Sequence, residues 1–209
     1  MLKFRIIARC DIRNGGLIRR IRCEGVKPAG DPAAHAVACA EAGADELVLN
    51  DCVASLYGRN ALSEIIEDIT DDVFVPVTVA GGVRTEDDVR TLLNSGADKV
   101  AINTAAIEDP SIIDRLATKF GSSTIVLQLD AKRRPWGWEA FCSGARRSTS
   151  LNAVKWAAEA VERGAGEVFA TSIDEDGRGK GIDAELLAWL APLSVPVVIS
   201  GGLAGHPDA

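Results

Sequence analysis

Short apolar runs alternate along this chain with longer stretches in which apolar residues fall every three or four positions. A short run bounded by turn residues predicts a buried strand, and the longer spacing predicts an amphipathic helix. Strands are expected near 4–10, 46–50, 75–79, 98–102, 124–129, 167–171 and 195–199, and helices near 31–43, 59–71, 85–95, 110–119, 152–164 and 183–191. Local chemistry marks their ends. Thr85 followed by Asp88 has capping-box spacing, and Pro32 and Pro110 suit a first helical turn, where a missing N–H costs nothing. Gly43, Gly96 and Gly164 each close a helix just before a strand, where a left-handed stop favours glycine.

The pattern also repeats. The apolar run ending at Asp11 returns about 120 residues later as the run ending at Asp130, Val75-Pro76-Val77…Gly81-Gly82 returns as Val195-Pro196-Val197…Gly201-Gly202, and Ala42–Glu46 returns as Arg163–Glu167. Strand–helix alternation with a half-length repeat predicts an α/β fold, a (β/α)8 TIM barrel of two half-barrels, in preference to an open doubly wound sheet. Residues 1–209 are read as one barrel domain, with a first half of about 1–120 and a second half of about 121–209. Only about seven strands are present, so the eighth strand and helix are expected to be missing, roughly 30 to 45 residues against a typical barrel of about 250.

Composition narrows the class. The 209 residues are 47% apolar with a net charge of −7, which excludes general nucleic-acid affinity while leaving room for local phosphate sites. No run approaches a membrane span, and the first residues are too short in their apolar part for a secretory leader. Five separated cysteines (Cys10, Cys23, Cys39, Cys52 and Cys142) read as reduced thiols of a cytoplasmic protein, with no metal site or cofactor expected.

Three constellations carry chemistry. Asp11 and Asp130 close matched strands, the end at which barrels place their sites, and a carboxylate pair can divide acid and base roles. Asp51, Asp174 and Asp176 are further strand-end carboxylates, read as supporting groups, substrate hydroxyl partners or plain turn caps. The turns Gly81-Gly82, Asn103-Thr104, Asp176-Gly177 and Gly201-Gly202 offer backbone N–H groups to phosphate, and two such sites suit a substrate phosphorylated at both ends. At the opposite strand ends, Arg5, Glu46, Lys99 and Glu167 precede apolar runs, either as solvated rim charges or as a ring of ion pairs closing the floor.

These residues resemble the cyclase subunit of imidazole glycerol phosphate synthase, over essentially the whole chain. The likeness rests on Asp11, Asp45-Glu46, Gly81-Gly82, the Gly-Ala-Asp-Lys-Val-Ala-Ile-Asn-Thr segment at 96–104, Asp130-Ala131-Lys132, 163–167, 171–177 and 200–202. It implies a lyase of histidine biosynthesis, a heterodimer with a glutaminase subunit that supplies ammonia through the barrel. The substrate would be a bis-phosphorylated ribulosyl-formimino aminoimidazole carboxamide nucleotide. Carried over, Asp11 and Asp130 are the catalytic carboxylates, and Gly82, Asn103 and Thr104 form one phosphate site. Asp176, Gly177 and Gly202 form part of the other, Arg5, Glu46, Lys99 and Glu167 the ammonia gate, and Asp98 faces the partner.

The chain also departs from that family. Arg9 replaces a small residue on the face of Asp11, where it would favour the ionised carboxylate and narrow the ammonia path. Asn50 and Gln128 stand where apolar side chains are expected, and Arg19, in a first loop that is mobile in the family, replaces a catalytic lysine. The segment 142–150 keeps only traces of the family's loop pattern. These changes, with Asn14–Leu17 and Ala54–Asn60, resemble a paralogous branch that amidates surface-polysaccharide sugars beside a glutaminase-type partner. An inactive truncated barrel is a third reading and a sugar-phosphate isomerase barrel a fourth. The isomerase needs no gate, so the Arg5, Glu46, Lys99 and Glu167 set argues against it.

Overall fold

The computed structural model describes residues 4–54 and 62–203, so most of the Ala54–Asn60 segment and the start of the second expected helix lie outside the described residues. Two compact units divide the chain, Met1–Arg19 with Lys27–Ala101 and Arg20–Val26 with Ile102–Ala209.

In the first unit the strands β1 (Ile7–Arg13), β4 (Glu46–Asp51), β5 (Val77–Ala80) and β6 (Lys99–Ile102) run parallel, each paired with the next. Helices α1 (Pro32–Glu41), α2 (Ser63–Ile69) and α3 (Glu86–Asn94) connect them. Every residue of β4 and β5 is buried, as in parallel strands covered on both faces. Leu47, Leu49, Ile66, Ile69, Val79, Val89 and Leu92 form the dry part of this unit.

The second unit holds the parallel strands β7 (Ile125–Arg134), β10 (Glu167–Ser172) and β11 (Val197–Ser200). The short α4 (Thr104–Glu108), then α5 (Ser111–Phe120), α6 (Ala153–Glu162) and α7 (Ala184–Leu190), flank them. Together the seven parallel strands fall where the apolar runs predict them, shifted by up to three residues at their starts.

Among the described residues, four further strands lie outside the predicted pattern. β1 turns back antiparallel into β2 (Gly16–Ile21), which neighbours β3 (Glu24–Gly30), and β7 turns back into β8 (Gly137–Cys142) and β9 (Arg147–Asn152). The first reversal pairs Arg13 with Gly16 across Asn14 and Gly15, which stand at φ 52° and 78°. Two successive left-handed residues are what a two-residue hairpin with the native strand twist requires, and Asn-Gly is the pair that adopts them most readily. Arg19 therefore stands on a strand and not in a loop, which corrects the expectation for that segment. The segment 142–150 is likewise the β8–β9 hairpin, whose turn carries Ser143, Gly144 and Ala145 all at positive φ.

The expected helix signals are realised at every position but Pro110. Asp31 caps α1 through Ala34 N, ahead of Pro32. Thr85 and Asp88 form a reciprocal capping box on α3, the carboxylate accepting from Thr85 N at 2.9 Å and the hydroxyl from Asp88 N at 3.1 Å. Gly43, Gly96 and Gly164 stand at φ 95°, 112° and 113° just past their helices. Pro110 is the residue before α5 and not inside its first turn. Thr85→Ala is expected to cost about 1 kcal/mol, lowering the melting temperature by about 2–4 °C for a chain of this size. Unchanged calorimetric melting would show that the box contributes nothing to stability.

Candidate functional site

Register fixes what each strand end presents. β1 and β4 pair with Ile7 opposite Glu46, Arg9 opposite Val48 and Asp11 opposite Asn50. β7 and β10 pair with Val126 opposite Glu167, Gln128 opposite Phe169 and Asp130 opposite Thr171. Because side chains alternate faces, Arg9 and Asp11 share a face with Glu46 and Asn50, as Gln128 and Asp130 do with Glu167 and Thr171.

At the starts of the first unit's strands, Glu46 is buried and accepts from two cations, Arg5 Nη1 and Lys99 Nζ, the latter at 3.1 Å. A carboxylate this far from water needs such partners, because taking an unpaired charge into a dry interior costs several kcal/mol. Asp45 and Asp98 finish the same end of the unit. Their carboxylates accept from Ile6 N at 2.7 Å and Val77 N at 2.8 Å, so each ties down the backbone entering a neighbouring strand. Glu167, the fourth residue of the expected ring, opens β10 in the second unit and is also buried.

At the other end of β1, three donors converge on Asp11 Oδ1: Arg9 Nε at 2.9 Å, Asn50 Nδ2 at 2.7 Å and Cys52 Sγ at 3.3 Å. Asn50 also lies 3.4 Å from Cys52 Sγ. Arg9 thus points onto Asp11, as its parity requires. The sequence marks Asn50 only as an unexpected polar residue and gives no sign of Cys52, beyond its two-residue spacing from Asn50. On the opposite face of β1, the Cys10 thiol is pushed up to about 12, mainly by burial and then by the nearby Cys39 and Asp11 charges. Asp51 turns its carboxylate to Val53 N and Ala54 N at 2.9 and 3.0 Å and so caps the turn that follows β4.

The second unit presents Asp130, fully enclosed at the middle of the long β7 where β8 begins to pair. Asn103 Nδ2 donates to Asp130 Oδ2 at 3.0 Å and to the Phe141 carbonyl at 3.1 Å, joining the carboxylate to β8. Neighbouring Thr104 accepts from Ser143 N at 2.9 Å through its hydroxyl. Asn103 and Thr104 thus brace the β8–β9 hairpin, a link absent from the sequence pattern.

The glycine turns separate into different roles. Gly82 is buried at φ 74° directly after Gly81, whose φ is 103° and where an added Cβ would overlap the Asp51 carbonyl. Asp176 accepts from Cys23 N at 2.9 Å through Oδ2 and from Arg22 N at 2.9 Å through its carbonyl. A Cβ on Gly177 would overlap the Arg20 carbonyl, so Asp176-Gly177 clamp residues 20–23. Gly202 stands at φ 88°, its carbonyl accepting from Gly181 N at 2.7 Å, and a Cβ there would strike the Gly181 carbonyl. Asp174 accepts from Arg133 N at 2.7 Å. Arg19 is exposed on β2.

Among the described residues no cluster of metal-ligating side chains occurs, the five cysteines are free thiols, and no helix is long and apolar enough to cross a membrane. Parallel strands joined by helices, with ionisable clusters at the strand starts and at or beyond the strand middles, define an α/β protein. The family described as histidine biosynthesis protein matches residues 5–208. The chain is 46% identical over 205 residues to the imidazole glycerol phosphate synthase subunit HisF of Legionella pneumophila, covering 97% of each. It is 44% identical over 209 residues to that of Acidobacterium capsulatum, covering all of this chain and 82% of the relative. With that of Symbiobacterium thermophilum it shares 45% over 207 residues, 98% of this chain and 81% of the relative. The chain belongs to the histidine biosynthesis protein family.

The raised Cys10 pKa has a consequence for stability. Below the ordinary value of 9.0 the thiol is neutral in folded and unfolded chains alike; between 9.0 and about 12 only the unfolded chain ionises there, so stability falls as pH rises through that window. Cys10→Ala is expected to flatten the alkaline limb of a denaturant-unfolding series, and an unchanged slope would refute the assignment.

Proposed function

We propose that this chain is the cyclase of histidine biosynthesis, an ammonia-dependent lyase. It converts a bis-phosphorylated ribulosyl-formimino aminoimidazole carboxamide nucleotide into imidazole glycerol phosphate and aminoimidazole carboxamide ribotide. The observation that carries this reading is the match, along nearly the whole chain, to subunits that bear the synthase name. The same relatives favour the histidine-pathway substrate over a polysaccharide sugar.

In this reading the chain forms a (β/α)8-type barrel domain of two half-barrels, and Asp11 and Asp130 exchange protons with the substrate during ammonia addition, ring closure and carbon–nitrogen cleavage. Their support is their place at or beyond the middle of the first parallel strand of each unit, each held by an amide donor, Asn50 or Asn103. A fixed carboxylate can take or return a proton without first reorienting. Gly82, Asn103 and Thr104 hold one substrate phosphate and Asp176, Gly177 and Gly202 help shape the other site, with Arg19 reaching the substrate from β2.

Ammonia enters at the strand starts. Arg5, Glu46 and Lys99, with Glu167, act as the gate: paired charges bar water and ions while closed, and a modest side-chain rotation parts them for a small neutral molecule. A subunit implies a partner, here a glutaminase docked at this end, where Asp98 is exposed. No cofactor takes part.

The test is turnover of the nucleotide with ammonium salts at alkaline pH, followed by chromatography of both products. Product from the unaltered protein is expected, with Asp11→Asn and Asp130→Asn each slower by about 10²-fold or more, the scale of a lost acid–base group. No product, together with failure to rescue a histidine auxotroph, would overturn the proposal.

A further inference from the structure

Arg9 is the residue that most changes the chemistry around Asp11. Its guanidinium Nε lies 2.9 Å from Asp11 Oδ1, and the side chains of the pair are only 12% and 14% exposed, so solvent screens their attraction weakly. Asn50, opposite Asp11 in the register, donates to the same oxygen at 2.7 Å, and Cys52 adds a thiol at 3.3 Å. The three donors come from two adjacent strands and the turn that follows, and they meet on one carboxylate oxygen. Charge-assisted bonds of this kind are shorter and about twice as strong as neutral ones, and a cation at this distance favours the ionised carboxylate.

Other ionisable groups lie on the same strands and on β2. Arg13, next on the same face of β1, is exposed, as is Arg19 on β2. Cys10 faces away with a thiol that stays neutral, and Asp51 on β4 is engaged with Val53 N and Ala54 N.

We infer that Arg9 is a positioning residue: with Asn50 it holds Asp11 ionised and fixed in one orientation, so that Asp11 enters the reaction as proton acceptor and not as donor. The inference rests on the catalytic role proposed for Asp11. It assigns the acceptor steps to Asp11, the proton drawn from ammonia or from the closing ring passing to a carboxylate already stripped of its own.

The experiment uses the full chain and two independent readouts. First, the Asp11 carboxyl is titrated by ¹³C NMR, assigned against Asp11→Asn, alongside the Arg9 Nε–H signal. In the unaltered protein both signals are expected to move with one midpoint, and Arg9→Gln is expected to move the carboxyl midpoint to higher pH, with Arg9→Lys between. An Arg9 signal indifferent to Asp11 titration overturns the inference without any variant, as does an Arg9→Gln curve superimposed on the parent. Second, ammonia-dependent turnover is followed against pH. Arg9→Gln is expected to lower kcat about tenfold or more, as a misplaced reacting group does, with the acid limb shifted upward and KM for the nucleotide changed less than about twofold. Arg9→Lys is expected to recover part of the loss. A change confined to KM would make Arg9 a substrate-binding group and overturn the positioning role. If the unaltered protein turns over no nucleotide, the proposed function fails, while the NMR titration still decides whether Arg9 controls Asp11.

Discussion

The in-register pairing of β1 with β4 is the constraint on which the rest of the first unit depends. Consecutive residues of the two strands meet one for one, so that Ile7 lies beside Glu46 and Asp11 beside Asn50. A slip of one residue would reverse every face. Glu46 would turn away from Lys99 and Arg5 into the apolar layer, and Asn50 would leave Asp11. Leu47 and Leu49, buried on the other face of β4, hold this register, because a slip would move them from the apolar side to the side that carries Glu46 and Asn50. Apolar burial thus specifies where the charges stand, and the charges make any slipped pairing unfavourable.

A related division of labour runs through the strand starts. Asp45 and Asp98 each follow a Gly-Ala pair that ends a helix, and each commits a carboxylate oxygen to a neighbouring backbone N–H. The third such segment has Gly166 in that position, where a Cβ would run into the Ser122 backbone carbonyl. All three segments make the same backbone bond to the neighbouring strand, Asp45 N to Ile6 O at 2.8 Å, Asp98 N to Val77 O at 2.9 Å and Gly166 N to Ile125 O at 2.9 Å. The carboxylates of Asp45 and Asp98 return a second bond to that strand, and at Gly166 close backbone packing leaves no room for one.

The parallel strands and their helices are legible in the sequence because each is a period the eye can follow: a short apolar run, then apolar residues on one helical face. The hairpins are not. Arg147–Asn152 reads Arg-Ser-Thr-Ser-Leu-Asn and is mostly exposed, so no apolar alternation reveals it as a strand. It is held instead by its partner β8 and by Glu139, which accepts from Ser150 N at 2.7 Å and from the Ser148 hydroxyl. Asn14-Gly15 does carry a hairpin signal, but the polar Arg19 and Arg20 obscure the strand behind it. Candidate site residues are legible by position, at the ends of runs. Their partners are not, because Asn103 with Asp130 and Cys52 with Asp11 are brought together by topology and not by spacing.

Asp11 and Asp130 show how similar placements come to differ. Both lie inside parallel strands beside an amide, yet Asp11 has a guanidinium two residues before it, whereas the same step back from Asp130 is Gln128. A glutamine on that face brings no charge, so what distinguishes the two sites electrostatically starts with one position on each strand. Two carboxylates can divide acid from base work only if their surroundings separate them. In the proposed reaction that separation would begin with Arg9, and the Asn50 amide and Cys52 thiol beside it add direction. The residue that departs most from the resemblance is therefore also the one that gives the first unit's carboxylate a character of its own.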